Sequence, residues 1–170
     1  MNAIDLSIFV EFGVGLAGFS GVVVAFSLRS GKLNDFDKFR VVLLLISALL
    51  PAFISTLHMV LASFGIFDTA AWRILGTSVL FGLAVIIVLP IISVRRMSSD
   101  ARSSLSPVIW YISMGGTVLV FFWNGLNLIG WPSPLSFGPI LATLVWFLFL
   151  ASLMFLRLLL VRIGDLDITP

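Results

Sequence analysis

Two ionisable side chains, Glu11 and His58, lie within otherwise apolar stretches of the sequence, and they have the clearest capacity for chemistry. A carboxylate beside an imidazole can transfer protons. An ionisable group in an apolar segment indicates a binding site or an ion path, because burying it without a partner is costly. We therefore treat Glu11 and His58 as a candidate titratable pair.

Polar residues of four apolar segments fall at similar distances from one end of those segments. At 1.5 Å per helical residue, Glu11 lies roughly 9 Å and His58 roughly 8 Å from that end. The sequence therefore predicts one polar layer, open towards that end, as a hydrated pocket or ion path. Its members are Glu11, Ser55, His58, Thr77, Ser78, Asn124 and Asn127.

The same layer also has a purely structural interpretation. In it, Glu11 is held by His58 and the two asparagines, and the polar contacts fix how neighbouring helices align. Such contacts between membrane helices contribute about 0.6 kcal/mol on average, so they are common and modest. Both interpretations remain open from the sequence.

The composition is that of a membrane protein. Hydrophobic residues make up 60% of the 170 residues and charged residues 11%, with a mean hydropathy of +1.19. Soluble domains carry about a quarter charged residues. The length leaves no room for an additional soluble domain, so residues 1–170 are predicted to form a single domain.

Five stretches reach the roughly 20 apolar residues that a helix needs to cross a bilayer. Two prolines and flanking glycines separate the last two stretches, so these are two spans joined by a tight turn. The predicted fold is an all-α bundle of five transmembrane helices with short loops. The spans are 5–28, 39–63, 74–94, 107–129 and 138–160.

Basic residues lie almost entirely on one side of these five spans, and Arg73 is the exception. Since positive residues favour the cytoplasmic side, we expect the N-terminus outside and the C-terminus in the cytoplasm. The expected location is the cell membrane (the inner membrane), as a multi-pass protein. The residues on the basic side are Arg29, Lys32, Lys38, Arg40, Arg95, Arg96, Arg102, Arg157 and Arg162.

The first span also carries small residues at four-residue spacing, a pattern that lets another helix approach closely. We therefore expect the other helices to assemble around this span. The last span is mostly large and apolar, and we expect it to face lipid. The small residues are Gly13, Ala17, Gly21 and Ala25.

Several classes of site are excluded or unsupported. The absence of cysteine excludes thiolate metal sites and cysteine nucleophiles, and the single histidine excludes a multi-histidine metal site within one chain. The pattern GxGxxG at 13–18 lies inside a membrane span, without the strand that dinucleotide binding requires. No serine has a base and an acid at suitable spacing. We expect no enzyme activity, cofactor, metal or nucleic-acid partner.

Two functional hypotheses follow. In the first, the protein is a non-enzymatic accessory subunit or a self-assembling bundle that packs through the small residues of the first span. In the alternative, it is a small homo-oligomeric channel or transporter that uses the polar layer around Glu11 and His58. The expected partners are the lipid bilayer and either further copies of the chain or a larger membrane protein.

Overall fold

The computed structural model describes residues 6–29, 35–66, 69–96, 106–131 and 135–166. Within these ranges the chain forms five helices and no strand. Each helix is long and apolar enough to cross a membrane, which confirms the prediction of five spans. The helices are α1 (Ser7–Arg29), α2 (Asp35–Ser63), α3 (Thr69–Arg96), α4 (Pro107–Leu128) and α5 (Gly138–Leu166).

The helices extend beyond several of the predicted spans. The starts of α4 at Pro107 and of α5 at Gly138 match the prediction, whereas α3 begins at Thr69 and α5 continues to Leu166. The predicted spans were set by hydropathy, which detects only the apolar part of a helix that lies in the hydrocarbon core of the membrane. A helix can continue beyond that core into polar residues, so the observed helices are longer than the predicted spans.

The described basic side chains lie at one end of the bundle, where α2 begins and where α3 and α5 end. We call this the basic end of the bundle and the opposite end the far end. These residues are Lys38, Arg40, Arg95, Arg96 and Arg157. Lys32 and Arg102, which also entered the prediction of orientation, lie outside the described residues. Which end faces the cytoplasm remains a prediction.

Glycine ends two helices at the far end. Gly65 follows α2 with φ of 74°, and Gly130 follows α4 with φ of 75°, a conformation that residues with a Cβ rarely adopt. After α4, the Gly130 N–H donates to the Asn127 carbonyl (3.0 Å) and the Trp131 N–H to that of Leu126 (3.0 Å). This pairing terminates the helix and satisfies its last carbonyls.

Consecutive helices are neighbours around the bundle, and α5 closes the circle by packing on α1. Helix α5 also contacts α2 and α3, so it touches all four other helices. Its side chains Ile140, Leu144 and Phe147 are fully buried. The expectation that the last span faces lipid is therefore wrong, because in a membrane large apolar residues suit the core and the lipid equally well.

Helix α1 lies at the edge of the bundle, against α2 and α5. Only 17% of its apolar span is buried, compared with 50% for α2, so the expectation that the other helices assemble around it is wrong. Gly13 is buried against α2, whereas Gly21 and Ala25 are exposed. Residues four apart rotate by about 40° around a helix, so a strict four-residue series turns from one face to another.

Candidate functional site

The polar residues of α4 at the far end hydrogen-bond to α5 and the segment before it. Asn124 is 1% exposed, and its Nδ2 donates to Thr143 Oγ1 (2.6 Å), to the Val120 carbonyl (2.8 Å) and to the Pro139 carbonyl (3.2 Å). The amide therefore joins α4 to the first turns of α5. Its Oδ1 is buried and has no hydrogen-bond partner among the described residues.

Asn127 holds the segment that leads into α5. Its Nδ2 donates to the Ser136 carbonyl (2.9 Å), and its Oδ1 accepts from the Ser136 N–H (3.0 Å). The side-chain amide thus pairs with both backbone groups of one residue. This replaces hydrogen bonds that backbone outside a helix would otherwise need from water.

His58 lies in an aromatic cluster at the far end. Its ring stacks on Trp72, with centroids 5.7 Å apart, and lies 6.3 Å from the ring of Phe137. His58 is 9% exposed, and its Nδ1 has no hydrogen-bond partner among the described residues. Ser55 Oγ, about one turn earlier on α2, is fully buried and equally without a partner in the described part of the chain.

Thr77 and Ser78 have different surroundings from those of His58. Their hydroxyls donate to carbonyls of their own helix, of Arg73 (2.8 Å) and Ile74 (2.9 Å). Both residues line an open, mostly apolar groove between α2 and α3, with a cavity volume of about 560 Å³. We call it the α2–α3 groove; its lining is Ile46, Leu50, Phe53, Thr77, Ser78, Phe81, Gly82 and Val85.

Glu11 lies on the side of α1 that faces away from the bundle, and it is exposed. Gly15 and Gly18 follow at helical spacing, and a Cβ added at either one meets no atom within 4 Å. Phe12 and Phe19 are also exposed, at 49% and 68%. We call these five residues the outer face of α1. No hydrogen bond or ion pair joins Glu11 to any residue that the structure describes.

The structure therefore distributes the predicted polar layer over distinct surroundings. Asn124 and Asn127 bond towards α5, His58 lies under Trp72, and Glu11 points away from the bundle. No hydrogen bond or ion pair links Glu11 to His58 within the described residues. Their joint action as a titratable pair stays a prediction.

Four residues of this region were not singled out from the sequence as site residues. They are Arg73, Trp72, Phe137 and Thr143. Arg73 had a signal, because it is the one base on its side of the predicted topology. Thr143 is one of only two hydroxyl residues in the apolar helix α5, which also could have been noticed. Nothing in the spacing indicates that Trp72 and Phe137 meet at His58.

Comparison with known proteins adds no assignment. The chain matches no protein-family model, no curated protein and no solved structure. The geometry of its own residues is thus the basis for a functional proposal.

Proposed function

We propose that this protein is a non-enzymatic, self-assembling membrane bundle, in which the outer face of α1 docks in the α2–α3 groove of another copy. The observation that carries this proposal is Glu11, an exposed acid beside open glycines on α1, the helix whose described apolar span is the least buried of the five. Acids within membrane spans are costly and almost always contact protein or water. Open glycines let a second helix approach the backbone closely.

A base suited to Glu11 lies on another helix of the same chain. Arg73 is exposed on α3, and it forms no ion pair within the described residues. Helices α1 and α3 both begin at the far end. Glu11 and Arg73 each lie four residues, or about 6 Å along the helix axis, from the first residue of their helix. Helices α1 and α3 are not neighbours around the bundle, so a second copy provides a direct way to pair these charges.

The chain direction supports the same docking. Both α1 and α3 run from the far end to the basic end. When copies are related by rotation about the membrane normal, α1 of one copy and α3 of the next are therefore parallel and at equal depth. With Glu11 opposite Arg73, Gly15 lies opposite Thr77 and Phe19 opposite Phe81. The apolar groove has room for the exposed phenylalanines of α1.

Such an interface joins two different surfaces, so each copy offers one free surface of each kind. Interfaces of this type close into rings when the rotation allows. We propose a closed homo-oligomer in the cell membrane (the inner membrane), with the basic end in the cytoplasm. The clustering of positive residues supports that orientation.

Exchange of the two charges tests the proposal. We expect Glu11→Arg alone, or Arg73→Glu alone, to weaken association in bilayers at least tenfold, because like charges facing each other cost several kcal/mol. The double variant should restore association to within about threefold of the wild type, since the pair is reformed. Single-molecule photobleaching across protein-to-lipid ratios measures the dissociation constant.

The matched control is Arg95→Glu, which changes an exposed arginine at the basic end. It should leave association unchanged. Single variants that associate like the wild type would contradict the proposal. A monomer purified with a stoichiometric foreign membrane protein would also contradict self-assembly, and would support the accessory-subunit hypothesis instead.

A channel or transporter is the second candidate function, favoured by two buried polar atoms about one turn apart on α2, His58 Nδ1 and Ser55 Oγ, which lack hydrogen-bond partners among the described residues. Buried polar groups almost always have hydrogen-bond partners, and bound water or an ion would supply them.

If protons pass through this site, His58→Phe should lower proton flux into vesicles at least tenfold while preserving the aromatic stack. Thr77→Val is the control, and wild-type flux equal to that of empty vesicles would contradict this function.

A further inference from the structure

A second polar cluster lies at the basic end, away from the proposed interface. It is a partly open cleft between the start of α2, the start of α4 and the end of α5. Arg40 and Arg157 both line it, together with Trp110 and Ser113. Two arginines in one small cleft are unusual for a membrane bundle, because each guanidinium is costly to remove from water.

Burial shows that the cleft is more than a solvated surface. Arg40 is 7% exposed and Ser113 is 8% exposed. The Ser113 hydroxyl has no hydrogen-bond partner among the described residues, although it lines the cleft. Ser113 is six residues into α4, about 9 Å from its first residue, so the polar lining reaches below the level of the helix end.

The size and the remaining lining restrict the ligand. The cavity volume is about 50 Å³, and a cavity needs about 10–15 Å³ of such volume to hold one water, so a group of a few heavy atoms such as one phosphate fits and an acyl chain does not. Acyl chains attached to the headgroup would lie outside the cleft, along the helices. Met114 and Met154 also line the cleft, and their flexible side chains suit contact with the apolar part of a lipid next to its headgroup.

We propose that this cleft binds the phosphate headgroup of an anionic phospholipid. Arginine suits phosphate because its planar donors can form two parallel hydrogen bonds to the oxygens. Arg157 supplies such donors at the cleft, Arg40 adds to its positive charge, and the Ser113 hydroxyl is a further donor. Trp110 fits the membrane–water boundary, where its ring is apolar and its N–H meets polar groups.

Lipid binding to the purified full-length protein tests this site. Native mass spectrometry should show phosphatidic acid binding at least tenfold more tightly than phosphatidylcholine with the same acyl chains. Arg157→Gln should weaken phosphatidic acid binding about tenfold, since a hydrogen bond to a charged group is lost. Arg96→Gln removes an exposed arginine at the same end and should have no effect.

Ser113→Ala separates binding from folding. Removing a buried hydroxyl that lacks a partner should leave the melting temperature of the lipid-free protein unchanged or raised. The same variant should weaken phosphatidic acid binding about threefold to tenfold.

Equal binding of the two lipids, or equal losses in Arg157→Gln and Arg96→Gln, would overturn the proposal. Inorganic phosphate serves as the final probe. If it binds as tightly as phosphatidic acid and with the same dependence on Arg157, the cleft is a site for free phosphate and the lipid assignment is wrong.

Discussion

Replacing Gly13 by alanine is expected to destabilise the bundle by about 1–3 kcal/mol, the usual cost of overpacking a core. A Cβ at this position would overlap the backbone carbonyl oxygen of Ala48 and lie 3.3 Å from the Cβ of Ala52. A backbone carbonyl cannot rotate away as a long side chain can. The whole of α1 must then move away from α2, which is its most extensive packing contact.

Gly21→Ala, on the same helix, is the matched control. A Cβ at Gly21 meets nothing within 4 Å, so the substitution should not destabilise the bundle and should stabilise it by up to about 1 kcal/mol, because alanine favours a helix more than glycine does. Equilibrium unfolding in mixed detergent micelles measures both variants. Equal effects of the two substitutions would show that α1 does not pack on α2 through Gly13.

The number of helices could be predicted from the sequence because apolar length is set by the bilayer, and the sequence records it directly. The separation of α4 from α5 was equally accessible, since proline and glycine interrupt helices for local reasons. The start of α4 at Pro107 follows from the fixed φ of proline, which suits the first turn of a helix. These features depend on neighbours in sequence alone.

The positions of the helices in the bundle could not be predicted, and α5 shows why. Phe147 is fully buried and Phe149 is half exposed, yet the two are chemically identical and two residues apart. In water, polarity separates the inner face of a helix from the outer face. Within lipid both faces are apolar, so that signal is lost and only packing decides between them.

The position of each candidate residue along its helix could be predicted from the sequence, but the direction in which its side chain faces could not. Counting residues places Glu11 and His58 at similar depths, and the structure agrees that both belong to the far half of their helices. Depth does not fix the angle around the bundle axis, and there the two differ. His58 is covered by Trp72, whereas Glu11 faces outward. The angle depends on contacts between helices that are distant in sequence.

Assembly through the outer face of α1 is the central claim, and the absence of native cysteine makes a direct test possible. Two introduced cysteines can form a disulfide only when their Cα atoms lie within about 7 Å. The proposed register places Gly15 of one copy opposite Thr77 of the next. Gly15→Cys and Thr77→Cys are therefore the informative pair, each in a separate chain so that any disulfide must join two copies.

The decisive measurement is disulfide formation between these two single variants, mixed in native membranes under mild oxidation. In a random equal mixture about one interface in four pairs the two cysteines, so we expect the covalent Gly15→Cys to Thr77→Cys dimer to hold up to about half of the protein. Mixtures that pair Gly15→Cys with Ser152→Cys on α5 should remain monomeric. Absence of the first product, or a dominant disulfide between two Gly15→Cys chains, would contradict docking of α1 in the α2–α3 groove.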